Sequence, residues 1–386
     1  MIVSRFPYPL EKGDKLRAFH QLRELSKEFN VTLFAITDHE PKAENLEAVA
    51  SYCKNIHVGQ INFLSKSFNM LMSLLNGKPF QVGYFMRYKL KNELKSIIEQ
   101  NNFKHIYCQL IRCSEYVKDI HIPKTIDYMD AFAFGMEKRI ETQQFYLRWL
   151  FRSEAKRLRQ YEAHIFDYFE HHTIISEQDK ARISHPLADQ ISIVANGISP
   201  DFFEDLERDE SYDFVFVGNM SYAPNVNAMQ YFINDILPKF PTSQLLIAGA
   251  SPDSKILKLA ERSKQVDVSG WVEDIRTSYC NGKIFIAPMQ IGTGLQNKLL
   301  EAMALQTPCI TTPIANNALG AIDDESILIG TTTEELIEKL QSLLDSEVKR
   351  KKIAVSGMNF VKENYSWSER TQPLLDLLEK STKSDI

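Results

Sequence analysis

Along most of its 386 residues the chain repeats one local order. A short apolar or β-branched run meets a glycine or proline, and a segment with apolar residues at helical spacing follows. Parallel strands need long return connections, usually helices, so this alternation predicts doubly wound α/β units. Residues 1–4 read as a very short strand, FPYPLEKGD as a loop with two prolines and Gly13, and residues 15–28 as a helix with Leu16, Phe19, Leu22 and Leu25 on one face. VTLFAIT (31–37) reads as a buried strand, and further strands are expected at 105–110, 124–129 and 172–176.

Residues 191–194 form another strand candidate, followed by the Asn196-Gly197 turn, Pro200 and an acidic stretch at 204–213. The boundary is expected here, with an N-terminal domain at 1–190 and a C-terminal domain at 191–367. Residues 368–386 are expected as a helix packing back on the first domain. The second half repeats the pattern, with strands at 214–217, 244–250, 266–272, 283–289 and 308–312. Helices are expected at 226–236, 333–344, 349–363 and 368–380. The fold class expected is α/β, two Rossmann-like domains facing a cleft. Ligands of such sheets bind outside the carboxyl ends of the strands, so loops 218–225, 270–275 and 290–294 should line one rim.

Apolar content of 44% and charged content of 25% are ordinary for a globular chain. The net charge of −5 combines a mildly basic first half with an acidic second half. That is far from the basic stripe of a nucleic-acid binder, and no nucleic acid is expected. Five cysteines without a C-x-x-C pair favour reduced, buried thiols over disulfides or zinc. Neither a signal peptide nor an 18-residue apolar run is visible, so a cytoplasmic chain without a membrane-spanning helix is expected.

The richest chemistry lies in IGTGLQNKLLEAMALQTPCITT (291–312). Gly292 and Gly294 around Thr293 permit close approach of a ligand to the backbone. A helix starting near Gly294 would aim free N–H groups at an anion. Lys298, about one turn in, can reach back to that anion, and Glu301 lies on the same face three residues on. A carboxylate does not help bind phosphate, but it accepts hydrogen bonds from sugar hydroxyls. Cation and anion together suit a nucleoside diphosphate. A solvated Lys/Glu surface pair, worth about 0.2–0.5 kcal/mol, is the competing reading.

This stretch resembles the signature of the retaining glycosyltransferases of family four, which have the GT-B fold. The similarity continues in order along the chain: RFPYPLEKGDKLRAFHQLREL resembles the N-terminal loop and first helix of a subgroup linked to exopolysaccharide assembly. VANGISPDFF resembles the interdomain linker, FVGNMSYAPNVNAMQYF the start of the donor domain, and GWVEDIRTSYCNGKIFIAPMQIGTG the run before the signature. The resemblance implies that Gly292, Thr293 and Gly294 cradle a diphosphate, Lys298 neutralises it and Glu301 holds the ribose. It implies that backbone at Trp271 and Val272 meets the base, and that Gly218 and Asn219 sit by the phosphates. Gly13 would approach the phosphate or sugar from the other domain. Thr293 stands where the family often has a glutamate, and the loop from Gly218 to Asn225 lacks its usual Arg and Lys. The clamp then rests on Lys298 and helix-end amides, with Arg5 as a further candidate.

The implied partners are a nucleotide diphosphate sugar, as substrate rather than cofactor, and a glycan or lipid-linked acceptor. No metal is expected. Asp127 and Asp130, ending a strand of the acceptor domain, are candidates for acceptor hydroxyls or proton transfer, against the plainer reading of loop or cap aspartates. His20, His105 and the His171-His172 pair read as structural. Residues 138–159 interleave Lys138, Arg139, Arg148, Arg152, Lys156, Arg157 and Arg159 with Phe145, Tyr146, Trp149, Leu150 and Phe151. That helix suits either an anionic membrane face or a core with a solvated basic side. A dinucleotide-dependent oxidoreductase or epimerase is disfavoured, since the first loop holds one glycine. A degenerate, non-catalytic transferase-like subunit of a polysaccharide assembly system stays open beside the enzyme.

Overall fold

The structure is a computed structural model and describes residues 1–10, 12–61, 72–73, 76–142, 144–291 and 295–383, with the side chains of 138–139, 141–142 and 382–383 left aside. The chain divides into two compact units, Met1–Asn196 with Arg370–Ile386, and Gly197–Glu369. Both are parallel α/β units of Rossmann type, the fold class expected.

Seven described strands form the first sheet: β1 (Ile2–Val3), β2 (Thr32–Thr37), β3 (Asn55–Gln60), β4 (Ile106–Gln109), β5 (Lys124–Asp127), β6 (His171–Ile174) and β7 (Ser192–Ile193). Their order is β3-β2-β1-β4-β5-β6-β7, so the winding reverses between β1 and β4. The strand at 191–194, expected to open the second domain, instead completes this sheet. Ile193 pairs with Ile174, and Ile191 and Val194 are buried in the first unit's clusters. The crossover therefore falls at Asn196/Gly197. The last helix, Trp367–Lys383, buries Leu374, Leu375 and Leu378 against Leu25, Tyr107 and Val194 of the same unit.

The first helix runs Gly13–Leu25, and its most buried face carries Arg17, Gln21 and Glu24 beside Ala18, Leu22 and Leu25. Arg17 is wholly buried because it meets Asp127 at the end of β5, Nε to Oδ2 at 2.7 Å and Nη2 to Oδ1 at 2.9 Å. Its Nη1 donates to Asn196 Oδ1 at 2.8 Å, and Thr173 Oγ1 donates to Asp127 Oδ1 at 2.9 Å. Periodicity alone assigns Phe19 to the core, whereas the ion pair turns the helix so that Phe19 is only half-buried.

The basic aromatic segment is not one helix. Two helices, Phe132–Thr142 and Arg148–Phe166, are joined through a turn that exposes Phe145 and Tyr146. The second presents its acids inward. Glu154 accepts from the N–H groups of Phe80 and Gln81 at the start of the helix Phe80–Phe85, and Glu162 from Ala133 N near the start of Phe132–Thr142. Carboxylates at helix starts satisfy otherwise orphaned donors. Arg157 is buried over the Phe80 ring, 4.3 Å from its centre. The basic side chains left outward are fewer than the sequence suggests.

The second sheet holds β8 (Tyr212–Val217), β9 (Leu245–Ala248), β10 (Val266–Gly270), β11 (Gly282–Ala287), β12 (Cys309–Thr311) and β13 (Leu328–Ile329), in the order β10-β9-β8-β11-β12-β13. The reversal here falls between β8 and β11. β3 and β13 escape the sequence reading because NIHVGQ is polar and LI is too short to show a period. All five cysteines are free, and four are buried. No described helix is long and apolar enough to cross a membrane.

Candidate functional site

The loops after β8 and β11 flank the reversal of the second sheet, where open α/β sheets bind ligands. Gly218 ends β8. A Cβ there would stand 2.8 Å from Asn225 Nδ2, and one on Gly249 (φ +132°) would stand 2.0 Å from Gly218 O. Only glycine fits either place. Asn219 turns its side chain onto its own loop, Oδ1 accepting from Ser221 N and Oγ at 2.9 and 2.8 Å. Its carbonyl accepts from Asn225 Nδ2 at 2.8 Å.

Asn225 links the loop to Lys298. It is buried on the helix Ala223–Tyr231, and with Nδ2 committed to Asn219 its Oδ1 accepts the Lys298 ammonium. That ammonium also lies over the Phe216 ring, 5.0 Å from its centre. Burial lowers the Lys298 pKa to about 8, with Glu301 acting in the opposite direction. Sequence reasoning passed over Asn225 because an amide carries no charge. Its signal was the space left by Gly218.

The helix carrying Lys298 begins at Asn297, three residues later than expected, because Gln296 is still extended. Lys298 therefore lies in the first turn, and among the described residues no side-chain cap hydrogen bond is made at that end. Glu301, three residues on, accepts from Tyr279 OH at 2.5 Å. Burial raises its carboxyl above the ordinary range, opposed by Tyr279 and then Lys298. Lys298 and Glu301 make no ion pair with each other among the described residues, though each favours the charged form of the other. Each is half-buried on its own neutral partner, which is not how a solvated surface pair behaves. Gly292, Thr293 and Gly294 lie outside the described residues. Trp271, 73% exposed, and the half-buried Val272 follow β10 on the same edge of this sheet.

In the first unit, Gly13 is the first residue of its helix, and a Cβ there would meet only the Met129 methyl, at 3.4 Å. Asp127 corrects its expectation. It is wholly buried with both oxygens on Arg17, so it positions that arginine rather than meeting an acceptor. Asp130 does reach the surface. Though the residue is exposed overall, partial desolvation of its carboxyl, then repulsion from Asp179, lifts its pKa to about 6 against the pull of Arg112. His105 lies between Thr125 Oγ1 and Ser381 Oγ, and His172 between the Phe166 ring and its carbonyl.

Residues 211–346 match the family described as glycosyl transferases group 1. Over 98% of its length the chain resembles the Anabaena protein HepE solved with UDP, covering 99% of that chain at 9% identity and TM-score 0.64. The same protein solved with UDP-glucose gives a TM-score of 0.60 at 10% identity, covering 98% of both chains. WaaG, a glycosyltransferase involved in lipopolysaccharide biosynthesis, aligns over 96% of this chain and 97% of its own at 13% identity and TM-score 0.55. These solved structures share the two-unit fold of this chain, and its second unit carries the matched glycosyl transferases group 1 domain. In sequence, the chain is 24% identical over 95% of both lengths to an uncharacterized 44.6 kDa protein in the cps region of Klebsiella pneumoniae.

Proposed function

We propose that the protein transfers a glycosyl group, with retention, from a nucleoside diphosphate sugar to a glycan or lipid-linked acceptor in surface polysaccharide synthesis. The observation that carries this reading is the arrangement at the β8/β11 reversal. There Lys298 and Glu301 share one helix face, and each is half-buried on a separate neutral partner. An ammonium on an amide can exchange that amide for phosphate, and Glu301 Oε1, without a hydrogen bond among the described residues, can accept from a ribose diol. The HepE complexes with UDP and UDP-glucose support UDP as the first donor base to test. The Klebsiella relative and WaaG support a surface polysaccharide setting.

Breaking the anomeric bond builds negative charge on the leaving diphosphate, so its electrostatic stabilisation is the main demand. Lys298 and the first-turn amides of its helix supply this without a metal ion. With attack on the leaving-group side, a phosphate oxygen takes the acceptor proton. The same proposal places the protein at the cytoplasmic membrane face, through the exposed Phe145, Tyr146 and Trp149 beside Arg152 and Lys156. Co-sedimentation with anionic vesicles, lost on Trp149→Ser with Phe145→Ser, tests that part.

Thermal shift with UDP, GDP and ADP tests the site, since a ligand of the native state raises the melting temperature. Lys298→Ala abolishes the shift and Glu301→Ala reduces it. Equal shifts in both variants refute the assignment. The cation-free loop from Gly218 to Asn225 favours the second reading, a non-catalytic subunit. Nucleotide release from a panel of activated sugars separates the two.

A further inference from the structure

We propose that the reversal of the first sheet, between β1 and β4, is an oxyanion site in which Arg5 and Arg112 take a phosphate or carboxylate group of the acceptor. Only the word acceptor rests on the transferase reading; the site itself rests on the geometry that follows. Arg5 lies two residues beyond β1, and Arg112 lies in the turn Ile111–Cys113 just beyond β4. Those strands are the neighbours between which the winding changes direction. Both guanidiniums thus stand at the crevice where such sheets bind ligands.

Among the described residues, their close counter-charge falls short. Arg5 Nη1 donates to Asp14 Oδ2, and Arg112 Nη1 lies 3.6 Å from the same oxygen. Among the described residues, one carboxylate therefore serves two cations. Arg112 Nε and Nη2 both donate to Gln81 Oε1, at 3.2 and 2.8 Å, and its plane is fixed over the rings of Phe85 and Phe132. Arg112 Nη1, and Arg5 Nε and Nη2, make no hydrogen bond among the described residues. Burial and then Arg5 disfavour the charge on Arg112, and Asp14 opposes them.

Arg17, in the same unit, shows how a structural arginine looks here. It is wholly buried, takes both oxygens of its own carboxylate, and spends its remaining amino group on Asn196. Arg5 and Arg112 are partly open, at 32% and 16% side-chain exposure, with unspent N–H groups. Paired guanidinium forks with free donors match the oxygens of phosphate and carboxylate. Asp130, exposed after β5 and electrostatically coupled to Arg112, is placed to accept from a hydroxyl of the same ligand.

The test is calorimetric titration of the full chain held with excess UDP. The probes are methyl phosphate and methyl glucuronide, with methyl glucoside as the neutral control. At least one anion binds, about tenfold or more tighter than the control, and the better arm tells phosphate from carboxylate. Arg5→Gln and Arg112→Gln each weaken that anion about tenfold, and Arg112→Gln leaves UDP affinity within about twofold. Arg112→Lys, which keeps charge without the fork, falls between. If Arg112→Gln does not fold, the more exposed Arg5→Gln decides. Binding of neither anion beyond the control overturns the proposal, as do variants that bind like the parent. So does loss of UDP affinity in Arg112→Gln, which would give the pair to the donor. Anion binding that persists in a protein unable to bind UDP sinks the donor reading and leaves this one standing.

Discussion

At the reversal of the second sheet the cation, Lys298, rests on a neutral amide. At the reversal of the first, Arg5 and Arg112 lean on one carboxylate, and the same helix sends Arg17 to another. The partner decides what the cation is for. An amide holds an ammonium in place without neutralising it, so its charge stays available to an incoming diphosphate. A carboxylate that takes both arms of a guanidinium uses the charge up, and Arg17 becomes framework. The shared Asp14 is intermediate, fixing two cations while leaving donors unspent.

The largest effect that comparison predicts is in the framework. Arg17→Met strands Asp127 as a buried, unpaired carboxylate and should cost the first unit about 3–5 kcal/mol. Chemical denaturation followed by near-ultraviolet signals would show the loss. Arg17→Met combined with Asp127→Leu should recover much of it, because an apolar pair has no charge to strand. An Arg17→Met protein as stable as the parent would refute the framework role. At the second reversal, Asn225→Asp should weaken UDP about tenfold, since a carboxylate claims the ammonium and repels the diphosphate. Asn225→Ala should weaken it less, by loosening Lys298 alone. If Asp and Ala behave alike, Asn225 contributes shape and not polarity. Both variants are read by titration of UDP.

The sequence disclosed what period and composition encode. Alternation gave the two α/β units, and the glycine-rich stretch before Lys298 gave one edge of one sheet. Polar partnerships were invisible, because they depend on contacts far apart in the chain. Arg17 and Asp127 are 110 residues apart, and Lys298 and Asn225 are 73 apart. A buried arginine reads as a surface residue until its partner is known, so the apolar period of the first helix finds buried Leu22 and Leu25 but misses the buried Arg17, Gln21 and Glu24. Glu154 and Glu162 likewise vanish into a basic-looking segment, although both serve as remote caps. Asp127 and Asp130 looked equivalent, three positions apart, and burial separates them.

The smallest effect follows from burial of the ammonium at the second reversal. With its pKa lowered to about 8, Lys298 is mostly charged at neutral pH and mostly neutral above pH 9. Diphosphate binding needs the charged form, so bound UDP raises this pKa. UDP affinity should therefore be flat below about pH 7.5 and fall as pH rises through 8, by less than about tenfold at pH 9. Glu301 is the charged group acting on Lys298, and its carboxylate favours the ammonium. Lys298→Arg keeps its charge to far higher pH. Its affinity should stay flat over the same window, apart from ionisations of the ligand common to both proteins. Calorimetric titrations at pH 7, 8 and 9 compare the two. A parallel decline would mean that the ligand, and not the buried ammonium, sets the pH dependence, and the amide-held cation at the second reversal would lose its distinction from the carboxylate-held pair at the first.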